Sequence, residues 1–403
     1  MRSSAPYALS RPAAPPRRFD PKTRRERVAA RAVLGAFDPL LLFCVLGLMV
    51  VGVVMVYSST AALSREGWGG SAHYLIVQLI ATALGLVGAT LAATVRMQAY
   101  SRHTKHLVAA AFVMMLAVYL PFLGTSVGGF RRWLNLGVFA FQPVEFVKLA
   151  MILYVAKFLS SDGRSVRSLW KGVFPNVVVM MAFVLLLVGQ PDFGSAVLLC
   201  AIVFAMLFAG GARLSHLLLL ASTAALPAYY LVVGSDYRLQ RIRTYINWIG
   251  GTRTVPDDPG YQIWQSYNAL STGGLVGVGL GDSVHKLFYL PAPHTDFIFT
   301  ILAEELGFLG GVIVVGLFVG VVVRGIQTAI RVEDRFAKML AFGISTAIGL
   351  QALVNIAMAL GLLPTKGFTL PFLSYGGSSL MLSLVMAGVL LNVSRLAPAA
   401  HDK

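Results

Sequence analysis

The chain has 403 residues, 57% of them hydrophobic and only 12% charged, with a mean hydropathy of +0.74. Soluble domains carry about 25% charged residues, so the composition excludes one and calls for an integral membrane protein. A formal charge of +16 invites a nucleic-acid reading, but the basic residues stand in short blocks between apolar runs, which excludes nucleic acid as a partner and points to membrane topology.

Residues 1–37 are rich in Pro and Arg (RPAAPPRRFDPKTRRERVAAR) and lack the apolar content to bury a core, so they are expected to form a disordered cytoplasmic tail. The apolar run at 39–58 is too long and too far from the N-terminus for a signal peptide and reads as the first span. Further runs of spanning length fall at 72–94, 106–123, 143–159, 173–190, 193–210, 214–233, 297–323, 339–363 and 379–396, and a membrane helix needs about 20 such residues. The predicted fold is therefore all-α, a polytopic bundle of about ten transmembrane helices forming one membrane domain over 38–397, with a short cytoplasmic tail at 398–403. With the N-terminal tail inside, 23 of the 33 Lys and Arg fall on the inner side and 9 on the outer, which predicts that both termini are cytoplasmic. The one long connection, 234–296, is then external. It carries aromatic residues and Gly clusters, so it is expected to hug the membrane, with an interfacial helix in GYQIWQSYNALSTGG that sets Trp264 and Tyr267 at headgroup depth. Cys44 and Cys200 lie inside apolar runs and offer neither a disulfide framework nor zinc-ligand spacing.

Charges inside or beside spans cost roughly 2.5 kcal/mol or more at mid-bilayer, so each needs a partner, a watery cavity or a job. Glu145 and Lys148 in QPVEFVKLA are three apart on a helix and can neutralise each other; a structural pair and a functional pair both remain open. Asp296 in PAPHTDFIF opens a span, where it is either an N-cap or a catalytic carboxylate. Glu304 and Glu305 are expected about two turns deeper and paired to other helices. Arg131 and Arg132 in GGFRRWLNLG, Arg241 and Arg243 in the long connection, and Lys366 in PTKG are cations on the unfavoured outer side, and an anionic ligand would explain them. With Glu145, Lys148 and Asp296 they predict an outward-facing cavity suited to a phosphate and an activated hydroxyl. GGLVGVGLGDS matches no nucleotide-binding fingerprint, and His73, His216 and His285 show no metal spacing. SYGGSS lacks a nucleophile elbow and reads as a tight turn entering the last span.

Three long segments are familiar: GGFRRWLNLGVFAFQPVEFVKLA (128–150), GYQIWQSYNALSTGGLVGVGLGDSVHKLFYLPAPHTDFIFTILAEELGFLG (260–310) and GLLPTKGFTLPFLSYGGSS (361–379). Through them the chain resembles the SEDS family (shape, elongation, division and sporulation), polytopic proteins that polymerise glycan strands from lipid II. VGLGDSVHKLFYLP, the Lys of PTKG and the long basic tail look like its division branch rather than its elongation branch. The resemblance implies that the family's essential carboxylate, in TDF, is Asp296 beside Thr295, and that its buried acid–base pair, in QPxExxK, is Glu145 and Lys148 after Gln142. The family often has Ser after QP and an acid after LP; Val144 and Ala292 stand here, so neither position is assigned a role.

The resemblance and the residues together imply an inverting peptidoglycan glycosyltransferase at the outer face of the cytoplasmic membrane, at the division septum. Asp296 would be the general base, and Lys148, Arg131 or Arg132, with Arg241, Arg243 and Lys366, would stabilise the departing pyrophosphate. A divalent cation, Mg or Mn, would assist, although no ligand cluster calls for one. The implied partners are lipid II, a class B penicillin-binding transpeptidase and division regulators. A lipid II flippase and a noncatalytic division scaffold are the competing readings; a flippase should line a path through the bilayer with polar groups, whereas here they gather at one leaflet.

Overall fold

The computed structural model describes residues 37–397 apart from 61–69, 128, 136, 138–139, 162–164, 252–259 and 288. The two predicted tails, 1–37 and 398–403, lie outside the described residues but for Phe37.

Twelve α-helices dominate the described residues: α1 (Pro39–Thr60), α2 (Gly70–Thr94), α3 (Met97–Ala117), α4 (Pro143–Ser161), α5 (Phe174–Gly189), α6 (Phe193–Ala209), α7 (Leu214–Val233), α8 (Asp236–Ile249), α9 (Tyr261–Gly273), α10 (Ile298–Arg331), α11 (Arg335–Ala359) and α12 (Gly377–Ser394). Every predicted span falls on one of these helices, and among the described residues seven helices are long and apolar enough to cross a membrane. The run at 106–123 was placed too late. Its helix, α3, opens with the polar stretch Met97–His106 and ends before Pro121, because hydropathy marks the apolar part of a helix and not its polar first turns.

α11 is the spine of the bundle, packed against α4, α6, α10 and α12. α2 lies against α12 through small residues: a Cβ on Gly388 would come within 2.2 Å of the Ala89 carbonyl oxygen, the close approach that small residues permit between membrane helices. Between α3 and α4 the chain forms a three-stranded antiparallel sheet, β1 (Gly124–Val127), β2 (Phe130–Asn135) and β3 (Ala140–Phe141), which the all-helical expectation omits.

α10 is broken at Gly307, whose backbone (φ 69°, ψ −170°) is not helical. The piece 308–331 is, at 1.5 Å per residue, about 36 Å long and can cross the hydrocarbon core by itself. The Gly-rich segment after α9 docks on the break: Val278 N–H donates to the Glu304 carbonyl at 3.0 Å, and Phe308 N–H to the Gly274 carbonyl at 2.9 Å.

Candidate active site

Asp296 stands in the turn that leads into α10. Pro291 and Pro293 deny this stretch a helix. Ala292 takes a left-handed φ of 52°, and its carbonyl accepts both the N–H and the hydroxyl of Thr295 at 3.3 Å. Helix α10 begins after Phe297, and no side chain caps it. The N-cap reading of Asp296 is therefore wrong, and its carboxylate is free of the helix end. Burial pushes its pKa up to about 6, against the pull of Arg241, the Thr295 hydroxyl and Arg132.

A second carboxylate completes the cluster. Asp192 pairs with Lys366, Oδ1 to Nζ at 3.1 Å, and also caps α6 by accepting the Ser195 N–H. Burial favours its neutral form, but Lys366 and Arg132, with hydrogen bonds from Ser195 and Lys366, hold it below the usual carboxylate range. Lys366 is itself drawn below the ordinary lysine value, first by burial and then by Arg132 and Arg241, with Asp192 opposing. Arg132 reaches from β2 to the α5–α6 turn, donating to the carbonyls of Gln190 at 3.0 Å and Pro191 at 2.5 Å. Arg241 of α8 donates to the Thr365 carbonyl at 2.5 Å. Two acids and three cations from five separate elements thus meet at one end of the bundle. Two glycines make room: a Cβ on Gly194 would lie 2.1 Å from Lys366 Nζ, and one on Gly367 would lie 3.0 Å from Asp296 Oδ2.

The predicted pair forms: Glu145 Oε2 and Lys148 Nζ are 2.7 Å apart, both side chains buried. Lys148 also donates to Gln351 Oε1 at 2.5 Å, and Gln351 donates to the Thr369 carbonyl at 2.9 Å. One turn on, Asn355 Nδ2 bonds the carbonyls of Asp296 at 2.9 Å and Phe368 at 2.5 Å. Gln351 and Asn355 lie four apart on α11 and so share a face. That face ties the buried pair, the Lys366 loop and the Asp296 turn to one rigid helix.

SYGGSS is more than a turn. The Ser374 hydroxyl donates to the Thr295 carbonyl at 2.5 Å and accepts the Leu370 N–H. Ser378 accepts the Gln142 N–H at 3.1 Å, and Ser379 meets Thr369 at 2.8 Å. His294 packs edge-on against Tyr74 and Tyr375, and burial drops its pKa to about 4, so it is neutral at pH 7.

Of the other predicted residues, Arg131 and Arg243 are exposed, and Arg241 and Arg132 are the cations whose charge acts on Asp296. Glu304 accepts from Ser283 at 2.5 Å and Val284 N at 3.1 Å, and stands 2.9 Å from His285. Glu305 binds Ser58 at 2.6 Å and Lys286 at 2.7 Å. Glu304 thus partners the connection before α10, whereas Glu305 pairs with that connection through Lys286 and, as expected, with another helix through Ser58. Ser58 lies in the last turn of α1, so the two glutamates sit near one end of the bundle. Among the described residues no three His, Cys, Asp or Glu side chains stand together as metal ligands.

The chain matches known proteins along most of its length. Residues 39–398 match the cell cycle protein family FtsW/RodA/SpoVE. The probable peptidoglycan glycosyltransferase FtsW of Trichlorobacter lovleyi is 41% identical over 91% of this chain and 96% of its own length. Stage V sporulation protein E of Bacillus subtilis is 39% identical over 89% of this chain and 97% of its own. Among solved structures, a chain described under structural coordination of polymerization and crosslinking by a peptidoglycan synthase complex superposes with a TM-score of 0.74 at 29% identity, covering 89% of this chain and 98% of that one. The rod shape determining protein RodA of Thermus thermophilus gives 0.65 at 28% identity, covering 89% and 97%. Fold, motifs and relatives agree that this chain belongs to the FtsW/RodA/SpoVE family of membrane proteins.

Proposed function

We propose that the protein is a peptidoglycan glycosyltransferase of the division branch, polymerising lipid II at the outer face of the cytoplasmic membrane during septal wall synthesis. The observation that carries the reading is Asp296: a carboxylate that caps no helix, with a pKa of about 6, beside Arg241 and Arg132. A general base works best with a pKa near the ambient pH. Asp296 takes the proton from the acceptor sugar 4-hydroxyl as that oxygen bonds to the donor anomeric carbon. The bond from that carbon to the pyrophosphate oxygen breaks, and undecaprenyl pyrophosphate leaves with the electron pair. One displacement inverts the anomeric centre.

Arg132, Arg241 and Lys366 are the cations placed to stabilise the leaving charge. Lys148, enclosed by Glu145 and Gln351, serves here as a positioning residue rather than a pyrophosphate ligand. Exposed Arg131 and Arg243 add to the positive field that draws an anionic lipid. Asp192 is occupied by Lys366, so the described residues make no complete Mg or Mn site, and no step depends on one.

Both termini are taken as cytoplasmic, with residues 234–296 outside. A class B penicillin-binding transpeptidase and division regulators are the proposed partners, in keeping with the relative from a synthase complex. The flippase reading gains nothing from the deeper-numbered acids, because Glu304 and Glu305 are closed into partnered clusters at the same end of the bundle. Formation of glycan strands from purified lipid II by the purified protein, with and without the transpeptidase, tests the proposal; no strands under either condition would refute it.

A further inference from the structure

Helix α8 presents three sectors of different character. Arg241, Thr244, Tyr245 and Trp248 face the protein: Arg241 donates to the Thr365 carbonyl and Tyr245 to the Leu362 carbonyl, both at 2.5 Å. Thr244 is buried, and a Cβ on Gly361 would meet Trp248 Nε1 at 3.0 Å. The exposed remainder divides in two. Ile242, Ile246 and Ile249 form an apolar row, 37%, 60% and 66% exposed, at the i, i+4, i+7 spacing of one helix face. Gln240, Arg243 and Asn247 form a separate exposed polar row at i, i+3, i+7. A helix bathed in water has no reason to segregate its exposed residues this way, whereas one lying along an oil–water boundary does.

The connection to α7 places that boundary. α7 is long and apolar enough to cross a membrane, and of its residues only Leu217 is buried, so it presents a largely apolar surface of the kind a bilayer covers. Near its end stand Tyr229 and Tyr230, 62% and 67% exposed, the residue type that collects at headgroup depth. Only Gly234 and Ser235 separate it from α8, and two residues reach about 7 Å at full extension.

From this juxtaposition we infer that α8 is an interfacial helix: it seats the Ile242–Ile246–Ile249 row in the acyl boundary of the leaflet, and through its protein face the bilayer holds the loop carrying Lys366. The occupant of the apolar row is lipid, not a partner protein. The placement in lipid stands apart from the proposed chemistry; only its effect on polymerisation rests on that reading.

The test is nitroxide labelling of Ile246→Cys and Arg243→Cys, with Cys44 and Cys200 replaced, in nanodiscs containing this chain alone. Position 246 should be open to oxygen and shielded from a water-soluble nickel complex, and position 243 the reverse. Equal nickel access at both would overturn the inference, and so would exclusion of both reagents at 246, which would mean a protein covers the row. In the same nanodiscs, Ile246→Asp with Ile249→Asp should lower lipid II polymerisation about tenfold or more against the unsubstituted protein, by releasing α8, and with it the loop held by Arg241 and Tyr245, from the leaflet. Unchanged polymerisation would overturn the coupling to the Lys366 loop. Absence of polymerisation by the unsubstituted protein, alone and with the transpeptidase added, would count against the enzymatic reading instead, leaving the label depths to decide the position of α8.

Discussion

A single amide group, Asn355 Nδ2, donates to the backbone carbonyl of Asp296 at 2.9 Å and to that of Phe368 at 2.5 Å. The base and the loop that carries Lys366 are therefore fixed to the same point on α11. Asn355→Leu keeps the number and branching of the side-chain heavy atoms and removes both bonds. Each carbonyl left without a donor costs about 1–3 kcal/mol when buried, and a loosened base costs rate more than binding. Polymerisation should fall at least tenfold with lipid II affinity little changed. Equal activity of the variant would show that the amide does not position the site.

The pKa of Asp296 predicts a pH profile. As a base it works only when ionised, so kcat/KM should rise with pH through about 6 and level off above it. Its folded value lies above that of an unfolded aspartate, so the stability this group contributes is present at low pH and lost as pH rises through about 6. Arg241 opposes the upward shift; Arg241→Ala should move the ascending limb to higher pH. A limb that stays in place would show that Arg241 does not act on the base.

Gly194 tests Lys366 without touching a charge. Gly194→Ala puts a methyl where Lys366 Nζ lies, at 2.1 Å. In a helix the change itself is worth roughly 0.5–1 kcal/mol in favour of Ala. The variant should thus be well folded by thermal melting and still lose glycan synthesis as Lys366 is pushed from Asp192. Full activity would place Lys366 outside the reaction.

Lys148→Met leaves the buried Glu145 carboxylate unpaired, at a cost of about 3 kcal/mol or more. Adding Glu145→Gln should restore stability, yet polymerisation should stay below that of the parent, because Gln351 has lost the ammonium that holds it toward Thr369. Complete recovery of glycan synthesis by the double variant would make the pair mere packing.

The apolar helices were legible in the sequence because hydrocarbon thickness calls for runs of similar length, and among the described residues seven helices meet that length and hydropathy. Asp296, Lys366 and Arg132 were legible because charges beside apolar runs are expensive enough to stand out. Asp192 was not, since QPDFG reads as a turn between two runs and nothing local announces that Lys366, far along the chain, will pair with it. Gln351 and Asn355 escaped because uncharged amides cost too little to break the apolar run 339–363. Glu304 and Glu305 lie about two turns into α10, ahead of the break at Gly307, as counting turns placed them; their partners Ser283, Lys286 and Ser58 escaped because no local pattern announces which distant segments pack there. The role of Ser374 was hidden for another reason: it bonds a carbonyl 79 positions away.

The most direct measurement is glycan synthesis from purified lipid II by Asp296→Asn. General-base catalysis typically contributes about 10²–10⁴-fold. The change keeps size and hydrogen-bonding shape but removes the proton acceptor, so strands should become undetectable while the protein still inserts, melts near the parent temperature and binds lipid II. Near-normal strand synthesis by Asp296→Asn would contradict the account at its centre.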